Sequence, residues 1–227
     1  MFQDEARFGR MVRIKRCWAP APLRPVVDNG YERQFTYVYG AISPQKGELN
    51  WMICDQMNTA RMSEFLAQVS AAHPRDLIIM ILDGASSHRA KDLIIPRNIR
   101  LVRLPAYAPE LNPQEHIWDE LREKEFPNRV FDDMSGVVQQ LENGLPRLAS
   151  DRKRLQSIAG WPWIISLNVK AAPTVKTNAT AHSIQPELTV VASSQDRNVR
   201  GASVDFHAEL RAVLDGNEET AGFAEGL

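Results

Sequence analysis

Apolar positions recur at strand and helix spacing up to about residue 170 and then thin out. Phe35–Ile42 is β-branched and aromatic and predicts a strand. Ser43–Gly47 reads as a turn and Leu49–Cys54 as a second strand, which together make a hairpin. Asn58 or Thr59 then caps a helix whose apolar positions are Met62, Phe65, Leu66 and Val69, and Pro74 ends it. Leu77–Leu82 is apolar throughout, the kind of strand covered on both faces in an α/β sheet. Ile99–Leu104 predicts another strand. Asn112-Pro113 predicts a helix start, because Asn caps well and Pro suits the first helical position. A further helix is expected over 133–145. Met11–Trp18 carries a weak extended pattern, followed by a stiff connector at Pro20, Pro22 and Pro25. A hairpin followed by strand–helix alternation argues for an α/β fold, a mixed sheet with flanking helices.

Composition narrows this picture. With 227 residues, 44% apolar and 24% charged, the chain is globular in class and long enough for one domain with an appendage. A net charge of -1 excludes a uniformly basic nucleic-acid coat and leaves room for a local basic patch. Cys17 and Cys54 form no CxxC pair, which points to a reducing interior. The start, Met1 to Arg7, is charged where a signal peptide is apolar, and Leu77–Leu82 is too short to cross a bilayer. No membrane association and a cytoplasmic location are therefore expected.

Beyond Lys170 the chain changes character. Lys+Arg exceed Asp+Glu by 23 to 20 before this point and trail by 4 to 8 after it, and all Trp and Tyr precede it. Such a segment buries too little apolar surface to offset its chain entropy. Residues 169–227 are expected to be mostly disordered, with one short helix over 204–214.

Three acids occupy positions that chemistry would use. Asp83 directly follows the buried strand 77–82, and ligands of α/β sheets bind beyond the carboxyl ends of the strands; a turn at Asp83-Gly84 is the plain alternative. Glu115 falls at the third position of the helix capped by Asn112, where a glutamate also serves a capping box. Asp4 taken alone is a surface charge near a terminus. Converged on one point, three carboxylates would repel one another, and Mg²⁺ or Mn²⁺, hard cations with a preference for carboxylate oxygen, relieves that repulsion. Two such ions serve phosphodiester cleavage. The isolated cysteines and scattered histidines make no zinc site.

The blocks carrying these acids, Phe2-Gln-Asp-Glu-Ala-Arg-Phe-Gly9, Leu82-Asp-Gly-Ala-Ser-Ser-His88 and Leu104-Pro-Ala-Tyr-Ala-Pro-Glu-Leu-Asn-Pro-Gln-Glu-His-Ile-Trp118, resemble the three motifs of DDE transposases, most closely the mariner-like bacterial insertion-sequence group, insertion-sequence family 630. Gly160-Trp-Pro-Trp-Ile164 is similar to that group's ending. The resemblance covers residues 1–168. It implies an RNase H-like fold and Asp4, Asp83 and Glu115 as catalytic residues and ligands of two Mg²⁺ (or Mn²⁺) ions. It also implies cutting and joining of DNA at transposon ends, action as a homodimer and a bacterial, nucleoid-associated setting. Asp119 and Glu120 are nearby acids that the motif does not select. Arg10, Arg13, Lys15, Arg16 and His88 are candidate DNA contacts, since phosphate contacts supply most nonspecific affinity. Tyr107 and Trp118 are candidates for base stacking or for core packing, and Arg152-Lys153-Arg154 reads as solvated charge.

The sequence departs from the family pattern in three places. Gly84 stands where the family usually has Asn, and the interval from Asp83 to Glu115 is slightly short. Only Met1, Phe2 and Gln3 precede Asp4, where the family has a central strand and a helix-turn-helix region. A weakly held Asp4, and an inactive remnant that folds or binds DNA without cutting it, are the expectations this last departure raises.

Overall fold

In the computed structural model the described residues are 1–27, 32–83, 92–105, 108–171 and 188–192. Five strands form one mixed sheet: β1 (Phe2–Gly9), β2 (Phe35–Ser43), β3 (Glu48–Cys54), β4 (Ile78–Leu82) and β5 (Ile99–Arg103). Their spatial order is β3-β2-β1-β4-β5. β2 lies antiparallel between β1 and β3, whereas β4 runs parallel to both β1 and β5. The helices are α1 (Thr59–Ala72), α2 (Pro113–Glu125), α3 (Met134–Ser150), α4 (Arg152–Ala159) and α5 (Pro162–Ile165). This is the RNase H-like arrangement that the motif blocks imply.

Side-chain alternation sends residues of each strand to opposite faces of the sheet, and each face has its own core. Under α1 lie Tyr39, Ala41, Met80, Leu82 and Ile99 with the helix residues Met62, Phe65, Leu66 and Val69. All four of those helix residues are fully buried, and the Asn58 side chain caps the helix by accepting from the Arg61 N–H. On the other face Ala6, Phe8 and Val38 meet Trp118 and Leu121 of α2 and Val137, Leu141 and Leu145 of α3. α4 also packs against α2.

The position of β1 corrects the expectation of a missing strand. Asp4 does not end a lost strand; residues on both sides of it pair with β2. All eight residues of β1 are in register with β2, from Phe2 opposite Ile42 to Gly9 opposite Phe35. On the other side Phe2 pairs with Ile81 of β4, and the Ile81 N–H donates to the Met1 carbonyl at 2.8 Å. Phe2 and Gln3 are buried, and Asp4 is only 9% exposed. Asp4 is therefore built into the middle of the sheet.

One further expectation gives way, and one segment proves to be more than solvated charge. Met11–Trp18 forms no strand beyond an isolated bridge from Arg13 to Pro127. Arg152-Lys153-Arg154 opens α4, whose Leu155 and Ala159 are buried one turn apart, and Arg152 and Arg154 pair with Glu48 and Glu120. The charges hid a short amphipathic helix. Residues 1–160 form one compact unit and 161–227 a second. In the second unit the described residues include α5 and two antiparallel strands, β6 (Leu167–Ala171) and β7 (Leu188–Ala192). The helix expected over 204–214 lies outside the described residues.

Gly40 is opposite Asp4 on β2 and permits close approach of α2. A Cβ there would stand 2.4 Å from Trp118 Cη2 and 2.7 Å from Gln114 Nε2. Gly40→Ala should therefore cost about 1–3 kcal/mol of stability by overpacking, read from urea unfolding. An unchanged unfolding midpoint would show that Trp118 is not seated on β2.

Candidate active site

Asp4 lies on the same face of β1 as Ala6 and Phe8, the face covered by α2 and α3. With Phe2 paired to Ile81 in parallel, the register brings Asp83, two residues past Ile81, alongside Asp4, two residues past Phe2. Asp83 leaves the end of β4 and is exposed. The third acid arrives on α2. Its cap, Asn112, is nearly fully buried, accepts from the Gln114 N–H at 3.1 Å and donates through Nδ2 to the Gln3 carbonyl at 3.1 Å. Pro113, Gln114 and Glu115 complete the first turn, which leaves Glu115 half-buried.

One turn beyond Glu115, the Trp118 indole Nε1–H donates to Asp4 Oδ2 at 3.0 Å. Helix α2 is thus attached to two consecutive residues of β1 at points on either side of Glu115. Trp118 is fully buried, edge-on to Phe8 with ring centroids 6.2 Å apart. Another turn on, the Arg122 guanidinium sits 5.4 Å from the Phe8 ring centroid. Burial, and next to it the charge of Arg13, push Arg122 below the ordinary guanidinium range, while Asp119, Glu115 and Asp4 act in the opposite direction.

The electrostatics put the three acids in one neighbourhood. Burial is the main cause that raises the Asp4 carboxyl from 3.8 to about 8; the charges of Glu115, Glu5 and Asp83 add to it, and a hydrogen bond from the Glu5 backbone opposes it. Asp4 is near enough to both Glu115 and Asp83 to feel their charges. Among the described residues, however, no three His, Cys, Asp or Glu side chains are gathered tightly enough to hold one ion. In donor chemistry the set suits a hard cation: it is all carboxylate oxygen, and Asp4, whose carboxyl burial pushes up to about 8, would exchange its proton for a metal.

The basic candidates separate. Arg10 is engaged within the fold, donating from Nε to the Phe131 carbonyl at 3.0 Å and pairing with Glu32 and Gln34. Lys15 pairs with Glu123 at 2.5 Å. Arg13 and Arg16 are exposed or nearly so, and Arg13 lies beside Arg122. His88 and Tyr107 lie outside the described residues. The two side chains that sequence reasoning underrated are Trp118 and Arg122. Their signal was spacing: Glu115, Trp118 and Arg122 recur at three and four residues and so share a helix face.

A sequence model described as DDE superfamily endonuclease matches residues 1–137, and the chain belongs to that family. It is 31% identical over 134 residues to "Uncharacterized protein y4pE/y4sA" of Sinorhizobium fredii (strain NBRC 101917 / NGR234); the match spans 57% of this chain and 96% of that protein. The fold is similar to that of Mos1 mariner in a paired-end complex with Mn (TM-score 0.51, 16% identity, 70% of this chain and 53% of that one). It is likewise similar to Mos1 in a paired-end complex with Mg (TM-score 0.51, 17% identity, 70% and 50%). The chain thus spans about half the length of these Mos1 chains.

The raised Asp4 carboxyl makes a testable pH dependence. Between its ordinary value of 3.8 and about 8, the fold holds a proton that the unfolded chain has released. The Asp4 contribution is therefore fully present at low pH and is lost as pH rises toward 8. The buried Met1 ammonium, pushed down to about 5, acts in the opposite sense, so the comparison must be with Asp4→Asn. With chelator present, the variant should gain a few kcal/mol of stability over wild type from pH 5 to 8, on the order of 1.4 kcal/mol for each pH step crossed. A constant difference across chemical-unfolding series would show that Asp4 is not desolvated.

Proposed function

We propose that residues 1–168 are a transposase catalytic domain that cuts DNA at transposon ends and joins the released end to target DNA. The observation that supports this reading is that Asp4, on the central strand, feels the charges of both Asp83, at the end of β4, and Glu115, on α2. Family membership and the motif blocks, which point to the insertion-sequence group, support it. In this reading Asp4, Asp83 and Glu115 hold two Mg²⁺ or Mn²⁺ ions. When bound, such ions lower the barrier to attack on a phosphodiester and neutralise charge building on the departing oxygen. The Mos1 complexes with Mn and Mg concern proteins of the same fold.

The chain's own residues then divide the work. Asp4 is rigid, carried by strand pairing and by Trp118. Glu115 is fixed by the double attachment of α2 to β1. Asp83 lies at the exposed strand end, where a phosphate approaches from solvent. Arg122 places positive charge next to Glu115 and Asp4, with Arg13 beside it, and both are suited to the DNA backbone; Arg16 extends the same basic segment. In cleavage the oxygen of a water forms a bond to phosphorus as the bond to a 3′-oxygen breaks, and that oxygen leaves as a 3′-hydroxyl. In joining, the 3′-hydroxyl attacks a target phosphodiester and displaces another 3′-oxygen. The proposed working form is a homodimer on DNA. Among the described residues no helix is long and apolar enough to cross a membrane.

The alternative, a remnant that binds DNA without cutting, is favoured by the looseness of the carboxylate set. Nicking of supercoiled DNA separates the two readings. Wild type should nick with Mg²⁺ or Mn²⁺ and stop with chelator, and Asp83→Ala should reduce the rate at least about 10²-fold while melting within a few degrees of wild type. Equal nicking by Asp83→Ala would remove Asp83 from the site. No nicking by wild type would establish the remnant.

A further inference from the structure

We propose that Trp118 is a positioning residue of the metal site, its indole N–H fixing the orientation in which Asp4 meets the divalent ion. This rests on the metal-dependent reading above and adds a residue to it. An aspartate carboxylate turns about a broad, roughly two-fold torsion, so a rigid strand alone leaves its two oxygens free to exchange places. The hydrogen bond from Trp118 at 3.0 Å removes that freedom by tying down Oδ2. Indole is a donor only, so its partner must be an oxygen lone pair, and the bond favours the ionised carboxylate that a cation needs.

The bond is itself held in place. Trp118 is fully buried, its ring lies over Gly40, where no side chain competes, and Phe8 meets it at an interplanar angle of 75°. Phe or Leu at this position would fill much of the same apolar space but would offer Asp4 no donor. Glu115 is one turn away on the same helix, and Asn112 fastens the start of that helix to the Gln3 carbonyl. The contact that orients Asp4 therefore also sets the separation of Asp4 from Glu115.

The test measures Mn²⁺ binding by electron paramagnetic resonance on the full chain, without DNA or turnover. It compares wild type, Trp118→Phe, and a protein carrying benzothienylalanine at 118, which replaces the indole N–H with sulfur at nearly constant shape. Both altered proteins should bind Mn²⁺ roughly 10–100-fold more weakly, and the benzothienylalanine protein should melt within a few degrees of wild type. Wild-type Mn²⁺ affinity in the benzothienylalanine protein would overturn the proposal and leave Trp118 a core residue. A wild-type chain that binds no Mn²⁺ at all would overturn the metal reading itself, and the proposal with it.

Discussion

The attachment of α2 to β1 is the constraint on which the rest of the site depends. Two buried hydrogen bonds make it: Asn112 to the Gln3 carbonyl and Trp118 to the Asp4 carboxylate. A bond to a charged or chargeable partner in a dry setting is worth about 1.5–3 kcal/mol, and leaving either group unpaired there costs a similar amount. The helix therefore has little freedom to slide along the strand. Packing reinforces the bonds, since Trp118, Leu121, Val137 and Leu141 close over Ala6, Phe8 and Val38. Glu115 inherits its position from this docking.

The same docking puts a carboxylate where an apolar core would be more stable. Asp4 is shielded by Trp118 and by the strands beside it, and it responds by holding its proton to about pH 8. Such an arrangement works against the stability of the metal-free fold near neutral pH. Groups perturbed in this way concentrate at functional sites. The buried side-chain amides of Gln3 and Gln114, which have no hydrogen-bond partner among the described residues, are further signs of a core shaped by more than stability. They lie immediately next to Asp4 and Glu115 in sequence.

The elements with the strongest periodicity were legible in advance. The β2–β3 hairpin, α1, β4, β5 and the Asn112-capped α2 all form within a residue or two of their expected bounds, because each carries a local signal: a turn, a cap or an unbroken apolar run. β1 was misjudged because its identity is nonlocal. Phe2-Gln-Asp-Glu-Ala-Arg-Phe-Gly9 mixes charge with apolar residues, and only pairing with β2 on one side and β4 on the other makes it a central strand. α4 was missed because three consecutive basic residues masked Leu155 and Ala159. Of the site, the three acids stood out through their motif blocks. Trp118 and Arg122 did not, because an aromatic on a helix stripe reads first as core and an arginine as surface. Arg10 shows the converse, a candidate for DNA that the fold uses to bind Phe131, Glu32 and Gln34.

The central claim is that Asp4, Asp83 and Glu115 form one cation site organised by α2. The most direct measurement is crystallography of the full chain soaked in Mn²⁺, with anomalous scattering to locate the ion. The account predicts a Mn²⁺ peak with a carboxylate oxygen of Asp4 at about 2.0–2.6 Å, a second acid of the three in the same coordination sphere, and the indole of Trp118 still bonded to Asp4. Mn²⁺ bound only at other surface acids, with Asp4 still protonated and apart from Asp83 and Glu115, would contradict it.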